Sequence, residues 1–109
     1  MNPENPEFIV VLCTVPDREA GLALGRDVVG RGLAACVNVV PGLTSIYRWQ
    51  GAVHEDPEVL LLVKTRRPLL EALSAAITAA HPYEVPDILA LPVDAGNAHY
   101  LAWRLDTTD

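Results

Sequence analysis

Short apolar runs alternate with amphipathic segments along the chain, and this alternation predicts strands and helices in turn. The first run, FIVVLC at residues 8–13, is rich in β-branched residues and is predicted to form a strand. Pro16 and Asp17 then mark the first turn of a helix that Gly30 ends. The apolar positions of this helix recur at helical spacing and are Ala20, Leu24 and Val28.

The middle of the chain predicts a long bent strand, a turn, a third strand and a second helix. The second strand is LAACVNVV, residues 33–40, bent at Pro41–Gly42 and continued by LTSIYRW, residues 43–49. The glycine turn in WQGAV leads to the third strand, EVLLLVKT at residues 58–65. Pro68 opens the second helix. Its apolar stripe consists of Leu69, Leu73, Ala76 and Ala80, with Leu70 and Ile77 beside it.

The order of these elements predicts the fold class. A fourth strand, DILALPV at residues 87–93, and a short last helix capped by Asn97 complete the chain. Two strand–helix–strand units with right-handed crossovers give an α+β, ferredoxin-like βαββαβ fold. Two helices then cover one face of an antiparallel sheet, whose third strand lies between the first and the second. The chain is expected to form a single domain, residues 1–109.

The predicted strands do not alternate between apolar and polar residues. The first strand places Val10 and Leu12 on one face of the sheet and Ile9 and Val11 on the other. The second and third strands are apolar on both faces as well, whereas a sheet with one wet face would alternate. Because two helices can cover only one face, the other is expected to pack against further copies of the chain.

Charge and hydropathy exclude several classes of protein. The chain has 14 acidic and 8 basic residues and a net charge of −6, which argues against nucleic-acid binding. No apolar run approaches the length of a membrane span. The first residues, MNPENPEF, carry no positive charge ahead of an apolar stretch, so no signal peptide is predicted. We therefore expect a cytoplasmic protein.

Several stretches together resemble the CutA family of divalent-cation tolerance proteins. CTVPDREAG, GLAACVNVVPGLTSIYRWQG, EVLLLVKT, HPYEVPDI and GNAHYLAW occur in the order and spacing of that family, from about Phe8 to Trp103. The resemblance implies a cytoplasmic homotrimer, similar to the PII signalling proteins, that takes part in the response to divalent metal ions and binds copper. It does not imply an enzyme. One departure is Asp87, where the family usually has glutamate after VP.

The stretch HPYEVPD and one cysteine supply the candidate metal ligands, which are Cys36, His81, Glu84 and Asp87. Thiolate and imidazole ligands suit copper. A thiol buried in a strand is a poor ligand, and the chain lacks methionine-rich tracts, so weak or adventitious binding is expected. The alternative interpretation is a structural corner in which His81 lies at a helix C-terminus and Pro82 prevents its continuation.

Cys13 and Cys36 are the only cysteines. In the predicted topology their strands are separated by the third strand, so the two backbones lie about 9.5 Å apart. A disulfide needs Cα atoms within about 7 Å. Free thiols are therefore predicted.

A second hypothesis is a PII-like sensor of a small anionic effector. Lys64, the sole lysine, begins KTRRP, the only basic cluster, and the CutA motif also has lysine there. A cation beside the start of a helix can hold a phosphate or carboxylate. The predicted effector-binding residues are Lys64, Tyr83 and Trp49, whereas Arg66 and Arg67 are expected to be solvated.

Catalysis is the weakest interpretation. No G-x-S-x-G, H-E-x-x-H, P-loop or dinucleotide glycine pattern occurs, and GLALG is predicted to be a helix segment for close packing. A small hydrolase or isomerase that uses His81 with Glu84 or Asp87 is kept only as a third hypothesis. No catalytic residue and no cofactor other than copper are predicted.

Overall fold

The computed structural model describes residues 7–108. Its elements are β1 Phe8–Val15, α1 Arg18–Gly30, β2 Cys36–Trp49, β3 Ala52–Arg66, α2 Leu70–Ala80, β4 Leu89–Pro92 and α3 Ala98–Asp106, with a 3-10 turn at Arg67–Leu69 before α2. The first six residues, which carry most of the stretch used to predict the absence of a signal peptide, lie outside the described range. No helix within residues 7–108 has the length and apolar character needed to cross a membrane.

The four strands form one antiparallel sheet in the order β2-β3-β1-β4. The predicted α+β, ferredoxin-like arrangement is confirmed, including the position of β3 between β1 and β2. Cys13 pairs with Leu61 on one side of β3, and Cys36 pairs with Lys64 on the other. Both thiols are free, as predicted.

Helix α1 packs closely on the sheet. Asp17 is its N-cap, and the carboxylate accepts a hydrogen bond of 2.8 Å from the backbone N–H of Ala20. Pro16 lies just before this cap, not in the first turn as predicted. A Cβ atom on Gly21 would lie 3.1 Å from the side chain of Leu61, so the GLALG segment serves close helix–sheet contact, as its small residues predicted.

Helix α2 covers the same face of the sheet as α1. Its buried residues are Leu73, Ala76 and Ile77, which join Ile9 and Leu61 in the core. The predicted stripe is wrong at one position, because Ala80 is exposed. This residue is the last of the helix and lies at the exposed end of the stripe.

The bend predicted at Pro41–Gly42 is a β-bulge. Val40 pairs with Leu60, whereas Leu43 pairs with Glu58, so β2 contains one more residue than β3 between these pairs. Gly42 adopts φ +87°, a conformation that glycine reaches without steric cost. The extra residue reverses which side chains of β2 point to each face of the sheet.

Beyond the bulge, β2 and β3 extend as a hairpin arm, residues 43–58. β3 begins at Ala52, six residues before the predicted start at Glu58. The segment AVHEDP was missed because half of its residues are polar and most are solvent-exposed, so it lacks the apolar pattern of a core strand. Tight turning at the tip uses Gln50 at φ 51° and Gly51 at φ 81°.

The face of the sheet away from α1 and α2 is apolar, and it is open along β4. Val10 and Leu12 share it with their partners Leu91 and Leu89 on β4. Leu89 is 62% exposed and Leu91 48% exposed. The prediction that both faces of the sheet centre are apolar is therefore confirmed. We call this surface the open face.

Candidate functional site

A cleft of about 630 Å³ lies where the hairpin arm, the end of β1 and the segment between α2 and β4 meet. We call this segment, residues 81–88, the connector. Its aromatic and acidic lining residues are Tyr47, Trp49 and Tyr83, and Glu58, Glu84 and Asp87. None of the residues that line it is a lysine or an arginine. The cleft thus combines aromatic rings with negative charge.

The bulge in β2 brings the aromatic residues of the arm into the cleft. Tyr47 and Trp49 lie two residues apart and therefore point to the same face. With no extra residue at Gly42, Ile46 and Arg48 would take these positions. The Tyr47 hydroxyl donates a hydrogen bond to Asp56, which raises the pKa of Tyr47. Its side chain is thereby anchored at the cleft wall.

A buried carboxylate forms the floor of the cleft. Glu58 is only 8% exposed, and its Oε2 accepts a hydrogen bond of 2.5 Å from the hydroxyl of Tyr83. Burial and the neighbouring Glu58 raise the pKa of Tyr83 well above its ordinary value. The phenol therefore remains a proton donor to the carboxylate, and the pair joins the connector to β3.

His81, the first residue of the connector, holds it in place through ring contacts and hydrogen bonds. It caps the C-terminus of α2, and its ring centroid lies 4.7 Å from that of Tyr83. Its Nε2 lies 2.7 Å from the carbonyl oxygen of Thr14, and its Nδ1 accepts a hydrogen bond of 3.1 Å from the Tyr83 N–H. Because a carbonyl only accepts, both contacts are satisfied when Nε2 carries the proton. A metal could bind this ring only by replacing one of these hydrogen bonds.

The two carboxylates of the connector differ in their contacts. Oδ1 of Asp87 accepts hydrogen bonds from the backbone N–H of Thr14 at 3.1 Å and from its hydroxyl at 2.9 Å. Asp87 therefore ties the connector to the end of β1, despite being one methylene shorter than glutamate. The carboxylate of Glu84 makes no hydrogen bond or ion pair within residues 7–108 and is exposed.

The structure does not bring the four predicted metal ligands together in one chain. Glu84 and Asp87 line the cleft, and His81 lies beneath it. Cys36 pairs with Lys64, four residues along β3 from the partner of Thr14, which is about 13 Å in an extended strand. Among the described residues no group of at least three His, Cys, Asp or Glu side chains could hold a metal ion.

The other cysteine is also unsuited to metal binding. Cys13 lies fully buried in the core. Burial, followed by the charges of Asp87 and Glu58, raises the pKa of its thiol to about 12. The thiol therefore stays protonated at neutral pH, and a protonated thiol is neither a nucleophile nor a metal ligand.

The predicted effector-binding residues are divided between two regions. Trp49 and Tyr83 line the cleft. Lys64 is six residues from Glu58 along β3, about 20 Å away, and its Nζ lies 5.9 Å from the ring centroid of Tyr100. The expectation that Arg66 is merely solvated is wrong, because its Nε donates a hydrogen bond of 2.7 Å to the hydroxyl of Thr108.

Arg67 is exposed, in line with the expectation of a solvated side chain, and it also has a partner. The most buried cation was not predicted at all. Arg104 is 2% exposed, and its Nη2 donates hydrogen bonds to the carbonyl oxygens of Ile9 at 2.7 Å and Thr65 at 2.5 Å. Its guanidinium lies 5.2 Å from the ring centroid of Phe8, and burial lowers its pKa. In the sequence near Arg104, the only feature that could have indicated its role is its position four residues after Tyr100 on α3.

Two further residues of the site, Thr14 and Glu58, were missed because their roles depend on contacts far away in the sequence. Thr14 contacts Asp87, 73 residues later, and Glu58 contacts Tyr83, 25 residues later. Neither pairing follows from local spacing. A glutamate directly before a β-branched strand was the one available signal for Glu58.

Comparison with known proteins gives matches over nearly the whole chain. The divalent-cation tolerance protein CutA of Thermus thermophilus is 54% identical over 99 residues, which are 91% of this chain and 96% of that protein. The chloroplastic protein CutA of Arabidopsis thaliana is 50% identical over 100 residues, which are 92% of this chain. The chain spans 55% of the length of that plant relative.

Solved structures agree with the fold. A divalent cation tolerance protein (Cut A1) from Thermus thermophilus has a TM-score of 0.91 at 52% identity, covering 94% of this chain and 99% of its own. CutA1 from Oryza sativa has a TM-score of 0.93 at 46% identity, covering 97% of each chain. Residues 9–107 match the family described as CutA1 divalent ion tolerance protein, and the chain belongs to this family, as its motifs predicted.

Proposed function

We propose that the protein is a cation-binding homotrimer that takes part in divalent-cation tolerance and holds its ligand in the cleft. One observation supports this proposal above all. The cleft is lined by Glu58, Glu84 and Asp87 and by no lysine or arginine. Clustered carboxylates without a neighbouring cation attract positively charged ligands and repel anions.

Copper is the metal that the family resemblance favours. Glu84 and Asp87 can supply oxygen ligands, and His81 could supply a nitrogen ligand only after losing a hydrogen bond. A copper ion in the cleft would therefore use one or two protein ligands together with water. We expect weak binding, and we expect Cys36 to take no part in it.

Calorimetric titration of the purified protein with Cu²⁺ and Zn²⁺ tests the metal proposal. Glu84→Gln and Asp87→Asn keep the shape of each side chain and remove its charge, and each is expected to weaken copper binding. His81→Ala is expected to weaken it as well, because the two hydrogen bonds of His81 fix the connector that carries Glu84 and Asp87. Cys36→Ser is expected to leave it unchanged. Copper binding that is lost with Cys36→Ser and insensitive to the cleft variants would place the metal site elsewhere.

The open face supports assembly. Leu89 and Leu91 on β4 are exposed beside Val10 and Leu12 on β1. Burying such a surface against other copies stabilises an assembly by about 25 cal/mol per Å² of apolar area. The number of copies, three, comes from the family resemblance.

Light scattering at low protein concentration tests the homotrimer. Leu91→Glu places a charge on the open face and is expected to reduce the mass toward that of the monomer. Val29→Glu is the matched control, because Val29 is 40% exposed but lies on α1, away from this face. A monomeric unmodified protein would contradict the proposal.

We also propose a cytoplasmic location, which fractionation of cells that express the protein would test.

The alternative function is a PII-like response to a small anion at Lys64. A half-buried cation beside an aromatic ring favours it, since Nζ of Lys64 lies 5.9 Å from the ring centroid of Tyr100.

A further inference from the structure

The cleft is far larger than a metal ion requires. Its volume of about 630 Å³ lies within the range of small-molecule sites. A water molecule occupies about 30 Å³ in the liquid, so a hydrated ion would leave most of this space to bulk solvent. The described residues also contain no cluster of metal ligands. The size of the cleft therefore favours an organic ligand.

The aromatic lining favours a cation with an apolar surface. Tyr47 and Trp49 are neighbours on one face of the hairpin arm, about 7 Å apart along the strand. Tyr83 lines the cleft from the connector. The hydroxyls of both tyrosines are occupied by Asp56 and Glu58, so the rings themselves are what the tyrosines offer to a ligand. Aromatic faces attract ammonium groups through their quadrupoles.

The charges favour the same class of ligand. Two of the carboxylates are occupied, Glu58 by Tyr83 and Asp87 by Thr14. Glu84 has no partner within residues 7–108. It therefore supplies a carboxylate that can pair with an incoming cation, beside two carboxylates that add to the negative potential.

We propose that the cleft binds a small organic ammonium ion, with its alkylated nitrogen against Trp49, Tyr47 and Tyr83 and with Glu84 as the counter-charge. This inference rests on the proposal that the cleft is the ligand site, and it names the chemical class of the ligand. An anion is disfavoured in the cleft because Lys64 lies about 20 Å from Glu58 along β3.

Calorimetry with choline and with 3,3-dimethylbutan-1-ol tests the inference, because the two molecules share one shape and only choline is charged. Choline is expected to bind at least about tenfold more tightly than the neutral alcohol. Trp49→Leu and Glu84→Gln are each expected to weaken choline binding by about fivefold to tenfold. Circular dichroism of each variant checks that the fold is retained.

Matched controls exist for both substitutions. Trp103 on α3 is 44% exposed, close to the 43% of Trp49, and Trp103→Leu is expected to leave choline binding unchanged. Glu55 lies on the same arm but faces the other way, opposite Ile46, and Glu55→Gln is expected to have no effect. Loss of binding in the controls as large as in the cleft variants would overturn the inference.

Titration with Cu²⁺ on the same proteins separates the two proposals. Absence of choline binding, or equal binding of the neutral alcohol, overturns the organic-cation inference even if copper binding depends on Glu84. If neither Trp49→Leu nor Glu84→Gln changes the binding of choline or of copper, the cleft is not the ligand site. Choline binding that is charge-dependent and sensitive to both variants supports the inference.

Discussion

The second half of β3, residues 58–66, carries opposite chemistry at its two ends. At the start of this half, in the middle of the strand, Glu58 lines an aromatic, acidic cleft. Near its end, Lys64 lies beside Tyr100 and Arg104. The two ends are about 20 Å apart, so one small ligand cannot contact both.

The charges at the two ends are also used differently. The guanidinium of Arg104 is buried, and it holds the carbonyl oxygens of Ile9 and Thr65 together. At the acidic end Glu84 is exposed and has no partner within residues 7–108. The positive end is thus part of the fold, whereas the negative end keeps charge available to a ligand. Four substitutions test this difference.

The largest effect is expected at the basic end. Arg104→Ala removes two charge-assisted hydrogen bonds and the packing on Phe8, and it is expected to lower the free energy of unfolding by about 3 kcal/mol. Urea denaturation at fixed protein concentration measures this. Arg26→Ala on the exposed side of α1 is the control and is expected to change stability by about 0.5 kcal/mol or less. Equal effects of the two variants would mean that Arg104 is not a structural cation.

A substitution at the acidic end is expected to lower the free energy of unfolding by a smaller amount. Tyr83→Phe removes the hydrogen bond to the buried carboxylate of Glu58 and is expected to cost about 1.5 kcal/mol. The double variant Tyr83→Phe with Glu58→Gln, measured in the same urea series, is expected to lose less than the sum of the single variants. Additive losses would show that the pair is not coupled.

A substitution at the bulge in β2 is expected to have a still smaller effect on stability. Gly42→Ala places a Cβ atom on a residue with φ +87° and is expected to cost about 1 kcal/mol in thermal or urea unfolding. Gly30→Ala is the matched control, because a Cβ atom there meets nothing within 4 Å and Gly30 ends a helix. It is expected to be neutral or stabilising by about 0.5 kcal/mol. The idea of backbone strain at Gly42 fails if both variants behave alike.

The smallest effect on stability is expected for Lys64→Ala. Loss of a half-buried lysine near one ring is expected to change the free energy of unfolding by about 0.5 kcal/mol or less. If an anionic effector binds at the basic end, the same variant abolishes its binding in calorimetry with nucleotides and organic acids. A panel in which no anion binds would count against the PII-like alternative and would sharpen the contrast between the two ends.

Much of the fold followed from the sequence. The bounds of α1, the bend at Pro41–Gly42 and the cap at Asn97 agree with the structure to within a few residues. The site was predicted less well. Trp49, Tyr83, Glu84 and Asp87 do meet in the cleft, but the sequence also grouped them with Lys64 and Cys36.

The sequence by itself determined the elements, the strand order and the two apolar faces of the sheet, because apolar periodicity and turn residues act over a few positions of the chain. Only the tertiary structure decided which side chains meet. One extra residue at the bulge turns Tyr47 and Trp49 into the cleft, and the register along β3 carries Lys64 away from it. The physical reason is that register and burial depend on pairings between distant segments, which no local pattern contains.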